Sequence, residues 1–388
     1  MGWGIWWSFM EVNKDLTQSS CLMTIKVLQV IPYSYLIHSG WLEKIAQTLS
    51  DGLNKTGTIT VRNVASDIMQ AWKETKNHRS ENDYFLPSFE IVHNFPCPKL
   101  RSSVFRNYMT ILKKWKPDII ITHTRFFLQS MIGGVWAKCR WCKRIHIEHG
   151  SWFVLGYPRY IKLCAWLFDR TIGLRIFRQC DQIVTISQAN KPFIKKFTQK
   201  EPLVIYNPID FISQEKIKNT IPHIGFVGRL VPLKGVDILI KTLGEIRDRE
   251  WICTIVGSGN QEKYLHTLAK ELWLSDRIQF VGADDRANWL HRFDIFVNPS
   301  YQEWLPTTVV EALLAKCVVV ATDVWGTKEI SDQKDLILVE SWNIEVLKNW
   351  IEKAFESLHA DHLGESHDRV REKFGMDSAV GRYREIIF

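Results

Sequence analysis

The 388-residue sequence lacks the features that would place a segment across a membrane. It contains no run of about 18 uncharged apolar residues, so no membrane-spanning helix is expected. The opening MGWGIWWSFM has no basic region and no small-residue cleavage site, so we do not expect a signal peptide. Met23 is an alternative start to Met1, because MTIKVLQVIP begins a strand directly. Residues 1–22 would then be a non-native or disordered extension.

Low-complexity tracts and paired cysteine motifs are also lacking. The composition, 46% apolar and 24% charged, is that of a globular protein, and the length favours two domains. The eight cysteines are scattered, as expected for reduced thiols in the cytoplasm. Cys139, Cys142, His146 and His149 fall within eleven residues and could bind zinc. A strand would point the two histidines to opposite faces, which favours buried thiols instead.

Acidic residues are scarce between positions 91 and 200, where twenty Lys and Arg residues accompany only four acids, although the net charge of the whole chain is +8. The four acids are Asp118, Glu148, Asp169 and Asp181. The excess indicates either a solvated basic face or a docking surface for an anionic membrane or an acidic lipid-linked substrate. Nucleic acid is disfavoured, because no recognition motif accompanies the charge.

Strand-like and helix-like segments alternate along the chain, which predicts parallel sheets with helices on both faces. In the second half, the strand-like HIGFV (223–227) precedes the turn GRLVPLKG and the helical spacing of GVDILIKTLGEIRDRE. Further strands are expected there at 251–256, 277–282, 294–300, 317–323 and 336–340. In the first half they are expected at 24–31, 58–63, 89–94, 118–124, 144–150, 182–187 and 202–208.

The predicted fold class is therefore α/β, with two doubly wound, Rossmann-like parallel-sheet domains in series. The boundary is expected near IYNPIDFISQEKIKNT, where Pro208 and polar residues interrupt the pattern. Such sheets bind ligands at the carboxyl ends of their strands, so the cleft between the domains is the expected site.

Two carboxylates flank the start of a predicted helix in YQEWLPTTVVEALL, residues 301–314. Pro306 is well placed as the first helical residue, and Thr307 follows in a first turn whose free amides bind anions. Carboxylates accept hydrogen bonds from hydroxyls, so Glu303 and Glu311 around an anion site indicate a ligand with hydroxyls on both sides of its phosphates. A nucleotide sugar has this form. The alternative is an acidic helix start with an unrelated surface glutamate.

Cations for such phosphates are available in GRLVPLKG, which carries Arg229 and Lys234. A guanidinium fork and a mobile ammonium suit a diphosphate, although this loop alone could be a surface turn. Gly257 and Gly259, in GSG, would allow a backbone to approach a ligand closely. The segment lacks the third glycine of a dinucleotide fingerprint, so NAD is only weakly supported.

Together these segments resemble the GT-B glycosyltransferases, specifically the large retaining family 4, which is marked by two glutamates with seven residues between them. Its donor-domain blocks are similar to GFVGRLVPLKGVD, IVGSGN, FVNPSYQEWLPTTVVEAL and VVVATDVWGTKEI, in this order. IYNPID is similar to its interdomain segment, HIEHGS to the strand end carrying its acceptor-domain histidine, and EKFGMDSAVGRYREIIF to its closing helix. The resemblance implies an acceptor-binding domain (1–207), a nucleotide-sugar-binding domain (208–371) and a helix crossing back to the first domain (372–388).

The resemblance also implies roles for individual residues. Arg229 and Lys234 would hold the donor diphosphate, Glu311 would accept hydrogen bonds from the ribose, and Glu303 would hold hydroxyls of the transferred sugar. His149 would lie near that sugar on the first-domain face of the cleft. The residues expected to line the donor site through their backbone are Gly40, Gly257, Gly259, Leu305, Pro306 and Thr307. His123, at another strand end, faces the cleft, where a structural role is favoured.

A retaining, metal-independent hexosyltransferase with no cofactor is the function that this resemblance implies. Its donor would be a nucleoside diphosphate sugar, with UDP-sugars favoured over GDP-sugars, and its acceptor a glycan or lipid-linked hydroxyl in cell-surface polysaccharide synthesis (lipopolysaccharide or exopolysaccharide). We expect a cytoplasmic protein, with peripheral binding to the anionic inner membrane face as an option.

Several positions depart from the family pattern. A single Gly40 stands where paired glycines are usual, and Trp304 and Trp325 replace common glycines, which bears on the sugar that fits. A nucleotide-sugar epimerase of the same fold and a non-catalytic carbohydrate-binding subunit remain as alternatives.

Overall fold

The computed structural model describes most of the chain from Thr24 onward. The described residues are 24–33, 41–68, 83–92, 95–98, 102–125, 128–131, 142–150, 159–210, 214–330, 335–340, 343–358 and 365–388. The predicted glycine loop with Gly40, the proposed extension 1–22 and Cys139 lie outside these residues.

The first half of the chain forms an eight-stranded sheet. Its strands are β1 (Ile25–Tyr33), β2 (Ile59–Ile68), β3 (Asp83–Val92), β4 (Phe95–Pro98), β5 (Ile119–His123), β6 (Lys143–Glu148), β7 (Gln182–Thr185) and β8 (Leu203–Val204). They lie in the order β4-β3-β2-β1-β5-β6-β7-β8. Val27 of β1 lies between Val61 and Ile119, all three buried, so the sheet centre is apolar on the faces that helices cover.

One strand pair departs from the predicted parallel pattern. The strand expected at 89–94 is longer, and the short edge strand β4 pairs with it antiparallel. Pro96 and Pro98 lie in β4, and proline is tolerated in a sheet mainly at an edge, where no ladder hydrogen bond is lost.

Helices and helical turns connect the strands of the first sheet. They are α1 (Trp41–Asn54), α2 (Ser102–Trp115), α3 (Leu128–Met131), α4 (Arg159–Phe168), α5 (Leu174–Gln179) and α6 (Lys191–Lys195). A π-helical turn, Asp169–Gly173, joins α4 to α5, and a 3₁₀ turn, Gln188–Asn190, precedes α6.

The second half forms a six-stranded sheet in which every pair is parallel. Its strands are β9 (His223–Val227), β10 (Ile252–Val256), β11 (Ile278–Gly282), β12 (Ile295–Asn298), β13 (Val318–Thr322) and β14 (Leu336–Val339). The order β11-β10-β9-β12-β13-β14 reverses beside β9, which places the switch point where GRLVPLKG leaves the sheet. The predicted strands of this half agree with the structure to within two residues at each end.

The helices of the second half cover both faces of this sheet. They are α7 (Val236–Glu245), α8 (Glu262–Glu271), α9 (Ala287–Leu290), α10 (Thr307–Leu314) and α11 (Ile344–Ser357). Two parallel-sheet α/β units are thus confirmed as the architecture. Among the helices that the structure describes, none combines the length and the apolar character needed to cross a membrane.

The chain ends with α12 (Glu365–Phe374) and α13 (Met376–Ile387). The closing helix begins at Met376, after a break at Gly375, and packs on α1 of the first half. Contact is close, since a Cβ added at Gly52 would lie 2.5 Å from Cγ2 of Val380. The two connections between the sheets run side by side, because the Ile209 amide donates to the Phe374 carbonyl at 3.1 Å. The domain boundaries themselves stay a prediction.

Candidate functional site

The carboxyl ends of the two sheets meet at a narrow cleft. On the first sheet, β6 ends at Glu148 and leads to Gly150, whereas on the second sheet β12 leads into the loop 299–306. A Cβ added at Gly150 would lie 2.6 Å from Cδ1 of Trp304. The indole of Trp304 also contacts Trp325, with ring centroids 4.3 Å apart. The two tryptophans that replace expected glycines therefore form one wall of the cleft.

Glu303 is held in this loop by two neighbouring side chains. The Ser300 hydroxyl lies 2.8 Å from its Oε1, and the Lys234 ammonium pairs with the same oxygen. The second oxygen, Oε2, makes no hydrogen bond within the described part of the chain. The carboxylate is thus oriented through one oxygen, and the other remains available as an acceptor.

Arg229 lies in the loop that follows β9, at the same edge of the sheet. Its side chain is exposed, and among the described residues it has no hydrogen-bond or ion-pair partner. Lys234 ends the 3₁₀ turn Pro232–Lys234, and Gly235 follows with φ of +63°, a conformation that favours glycine. The loop therefore presents one unpaired and one paired cation.

The glycines of GSG pack closely against the loop that carries Arg229. A Cβ at Gly257 would lie 1.8 Å from the Gly228 carbonyl oxygen, and a Cβ at Gly259 would lie 2.2 Å from that of Leu230. The Leu230 amide also donates to the Ser258 carbonyl at 2.9 Å. The close backbone approach expected toward a ligand is thus made by the neighbouring loop, and donor contact by these glycines stays a prediction.

Helix α10 begins at the site, one residue later than expected. Pro306 is the capping residue rather than the first helical one, because its ψ of 94° is extended. Its carbonyl accepts hydrogen bonds from the Val309 and Val310 amides, at 3.0 and 3.3 Å. The Thr307 and Thr308 amides have no acceptor among the described residues, which suits an anion. Leu305 is buried beneath this turn.

Glu311 lies deeper, at the junction of the two sheets. Its Oε2 is 2.6 Å from Nε of Arg286, yet burial raises the pKa of this carboxyl to about 7, against the opposing effects of Arg286 and Lys44. Lys44 belongs to α1, so the two halves both contribute to this position. The recess around it is lined by Lys44, Ile45, Thr48, Pro208, Ile209, Asp210, Arg286, Thr307 and Glu311.

His149 and His123 form a buried, stacked pair at the end of the first sheet. Nδ1 of His123 lies 2.9 Å from Nε2 of His149. Burial lowers the pKa of His123 to about 3 and that of His149 well below its usual value, so both rings are neutral at pH 7. One ring donates and the other accepts. His149 can therefore meet a ligand as a neutral hydrogen-bonding group.

A buried ionic network supports these strand ends. Arg125 is fully buried, with Nη1 lying 3.1 Å from Oε2 of Glu148 and Nε lying 2.7 Å from Oδ1 of Asp169. The same Nη1 donates to the Gly150 carbonyl at 3.3 Å. Arg125 therefore fixes the backbone that faces Trp304.

The histidines of the possible zinc cluster have separate partners. His146 bonds to Thr122, at 2.9 Å, whereas His149 bonds to His123. In the described part of the chain, no group of three or more His, Cys, Asp or Glu residues could hold a metal ion.

Several of these residues were missed in the sequence. Ser300 stands three positions before Glu303, and Glu148 shares the strand face of His146 through two-residue spacing, so both carried a local signal. Arg125 and Arg286 carried none, because their partners are distant in sequence.

Two protein families match the chain, one over each half. Residues 42–211 match the family described as "Glycosyltransferase Family 4", and residues 221–357 match "Glycosyl transferases group 1". Together the two matches include every strand of the two sheets except β1, and the residues of the site between them.

Relatives and solved structures match over almost the full length. An uncharacterized glycosyltransferase of Methanocaldococcus jannaschii is 29% identical over 383 residues, covering 92% of this chain and 97% of that protein. Sucrose-phosphate synthase from Thermosynechococcus elongatus has a TM-score of 0.75 at 16% identity, covering 93% of this chain and 98% of its own. HepE of Anabaena, solved with UDP and glucose, has a TM-score of 0.71 at 16% identity, covering 94% and 99%.

Proposed function

We propose that this chain is a GT-B glycosyltransferase of family 4, which the family matches over its two halves support. It would transfer a hexose, with retention of configuration, from a nucleoside diphosphate sugar to a hydroxyl of a glycan or lipid-linked acceptor. The observation that carries the proposal is the Glu303 carboxylate, which Lys234 and Ser300 hold by one oxygen at the start of α10. Free amides and unpaired Arg229 stand at the same edge of the sheet.

The donor would lie along the carboxyl edge of the second sheet, between the loop after β9 and the start of α10. Its diphosphate would meet the guanidinium of Arg229, the ammonium of Lys234 and the Thr307 and Thr308 amides, which together offset a double negative charge. The sugar hydroxyls would donate to the free Oε2 of Glu303. UDP-sugars are the favoured donors, which HepE supports, because it binds UDP and glucose.

Glu311 would accept hydrogen bonds from the ribose in the recess shared with α1. A hydrogen bond from the ribose would stabilise the complex most where the buried acceptor lacks other partners. Oε2 of Glu311 is such an acceptor, because it is poorly satisfied despite its ion pair with Arg286. Lys44 would supply further positive charge from the first half.

The chemical step would rest on electrostatics. As the bond from the sugar to the diphosphate breaks, negative charge grows on the leaving oxygen, and Arg229, Lys234 and the α10 amides stabilise it without metal. We propose that the acceptor attacks from the face on which the diphosphate departs, since a second carboxylate that could act as nucleophile is not evident in the sequence. His149, as a neutral ring, would orient a sugar hydroxyl.

Trp304 and Trp325 would limit the space beside the sugar, and so select it. The acceptor would enter from the basic first half, which fits a polysaccharide precursor carried on an anionic inner membrane face.

Arg229→Ala and Glu303→Ala test the site. Each is expected to lower kcat/KM by roughly a hundredfold or more, because each removes a group that stabilises charge or orients the sugar in the transition state. Arg247→Ala, an exposed cation of the same half, is the matched control and should retain activity. Wild-type turnover in both site variants would refute the assignment.

The donor and the reaction class can be found in one series of measurements. Nucleoside diphosphate sugars are first screened by thermal shift, because a ligand that binds only the folded state raises Tm. The binder is then incubated with and without glycan acceptors, in buffer containing a chelator. Transfer with an unchanged anomeric configuration supports the proposal. Isomerised donor without acceptor would identify an epimerase, and binding without turnover a non-catalytic subunit.

A further inference from the structure

The outer face of helix α4 carries large apolar side chains that are about half exposed. Leu163, Trp166 and Leu167 are 57%, 50% and 49% exposed. Their spacing places them on one helical face. A soluble helix normally turns such a stripe inward, whereas here it faces outward. The stripe therefore calls for an apolar partner.

Cations surround this stripe. Arg159, Lys162, Arg170, Arg175 and Arg178 are all exposed along α4, the π turn and α5. The Arg170 guanidinium lies 4.5 Å from the centre of the Trp166 ring, and the other four form no ion pair within the described residues. A flat apolar centre with a basic rim is the pattern of an interfacial helix at an anionic bilayer.

The four acids between positions 91 and 200 do not neutralise the rim, meaning the five cations around the apolar stripe of α4. Asp169, the only acid between 159 and 180, turns inward to Arg125. Asp118 accepts from the Lys26 amide at 2.8 Å, and Asp181 from the Arg144 amide at 2.7 Å. The fourth acid, Glu148, is buried beside Arg125. Among the described residues none of these four acids pairs with a cation of the rim, so the rim keeps its positive charge.

We propose that α4, the π turn and α5 form the membrane-docking surface, with the Leu163, Trp166 and Leu167 side chains inserted among anionic lipid headgroups. The inference rests on the proposed location at an anionic membrane and assigns that location to particular residues. A protein partner would be expected to place acidic side chains opposite some of the rim cations. A second copy of this chain would bring like charges together. An anionic bilayer matches both the apolar stripe and the rim.

Docking here would bring the bilayer close to the cleft. Asp169, next to Arg170, pairs with Arg125, which in turn holds the Gly150 carbonyl opposite Trp304. The Asp169–Arg125 ion pair thus connects the π turn with the backbone at Gly150, on the acceptor side of the site. A lipid-linked acceptor in the membrane would need only a short path to the cleft.

The test measures vesicle binding by the full-length protein without donor or acceptor. Co-sedimentation is compared between vesicles of phosphatidylcholine alone and vesicles that also contain phosphatidylglycerol. A charge variant (Arg159→Glu with Lys162→Glu) and an apolar variant (Leu163→Ser, Trp166→Ser and Leu167→Ser) are each expected to lower affinity for the anionic vesicles about tenfold or more. Added salt should release the wild-type protein.

Helix α8 of the other half, together with the turn that follows it, offers matched controls. Lys263→Glu with Lys270→Glu repeats the charge change, and Trp273→Ser removes an indole that is 88% exposed. Both controls are expected to bind vesicles as the wild type does, and all variants should unfold at the wild-type Tm.

Cys164 provides a second measurement. Its thiol is exposed on α4, whereas Cys142, Cys180, Cys253 and Cys317 are buried. An environment-sensitive dye on Cys164 should shift its emission to the blue with anionic vesicles, and Cys164→Ser corrects for labelling elsewhere.

The outcomes separate this inference from the proposed function. If the wild-type protein binds anionic vesicles but the α4 variants bind equally well, the surface assignment is wrong and the membrane location stands. If the wild-type protein ignores anionic vesicles, both fail, while sugar transfer to a soluble acceptor is judged separately. A dimer that only the apolar variant abolishes, seen by sedimentation velocity, would overturn the bilayer as occupant.

Discussion

At the scale of single residues, the two glutamates of the site have different electrostatic surroundings. Glu303 is partly exposed, and the Lys234 ammonium and the Ser300 hydroxyl hold it by one oxygen. Glu311 is buried, and the desolvation of its charge outweighs its ion pair with Arg286, so its pKa rises. The buried glutamate therefore costs stability in its charged form.

Glu311→Gln should reveal this cost through pH. The folded pKa of about 7 exceeds the ordinary 4.5, so the folded state binds the extra proton and stability falls as pH rises from 4.5 to about 7. By denaturant unfolding, Glu311→Gln is expected to be more stable than the wild type at pH 8, by an amount on the order of 3 kcal/mol, and similar to it at pH 4. An equal difference at both pH values would show that the ion pair balances desolvation, so that the pKa is not raised.

At the scale of residues, the sequence predicted which side chains form the site better than it predicted their contacts and burial. The positions of Arg229, Lys234 and Glu303 followed from loops at strand ends, and the structure brings Lys234 and Glu303 into contact. Their mutual pairing was not predicted, because it depends on how two loops 69 residues apart fold against each other. The neutral state of His149 depends likewise on burial beside His123.

At the scale of elements, the phosphate loop is shaped by a second loop. The turn after β10 lies against the turn after β9 so closely that only glycine fits at Gly257, whose φ is +143°. The alternation of strands and helices was predictable, since it follows from local apolar patterns. The contact between these turns and the antiparallel β4 were not, because backbone proximity and edge pairing leave little trace in composition.

Gly257→Ala and Gly244→Ala form an informative pair. A Cβ at Gly257 would meet the Gly228 carbonyl at 1.8 Å, so the variant should lose stability and raise KM for the donor by displacing the Arg229 loop. A Cβ at Gly244, within α7, would lie 3.6 Å from Leu272, so that variant should gain about 0.5–1 kcal/mol. Denaturant unfolding and donor KM check both. Unchanged donor KM in Gly257→Ala would show that the two turns act independently.

At the scale of the whole molecule, Glu329 ties the second half to the first. Its two carboxylate oxygens accept hydrogen bonds from the Gln188 and Ala189 amides, each at 2.8 Å. These amides begin the 3₁₀ turn after β7, where a negative charge is favoured. The contact joins the two halves of the chain and helps to fix their relative position on either side of the cleft.

Glu329→Ala should weaken this junction. The free energy of unfolding is expected to fall by roughly 2 kcal/mol, because two charge-assisted hydrogen bonds are lost together. Glu356→Ala, an exposed acid on α11, is the control and should change it by less than about 0.5 kcal/mol. If the two variants are equally stable, the carboxylate contributes nothing measurable to the junction.

The position of the final helix has a consequence for biosynthesis. Because α13 completes the packing around α1, the amino-terminal unit emerges from the ribosome before the helix that covers one face of α1 has been made. The face of α1 around Gly52, which Val380 and Met376 cover in the finished protein, stays uncovered until residues 376–387 have been translated. A nascent chain stalled before that point should be captured by chaperones and cut by proteases at its amino-terminal half.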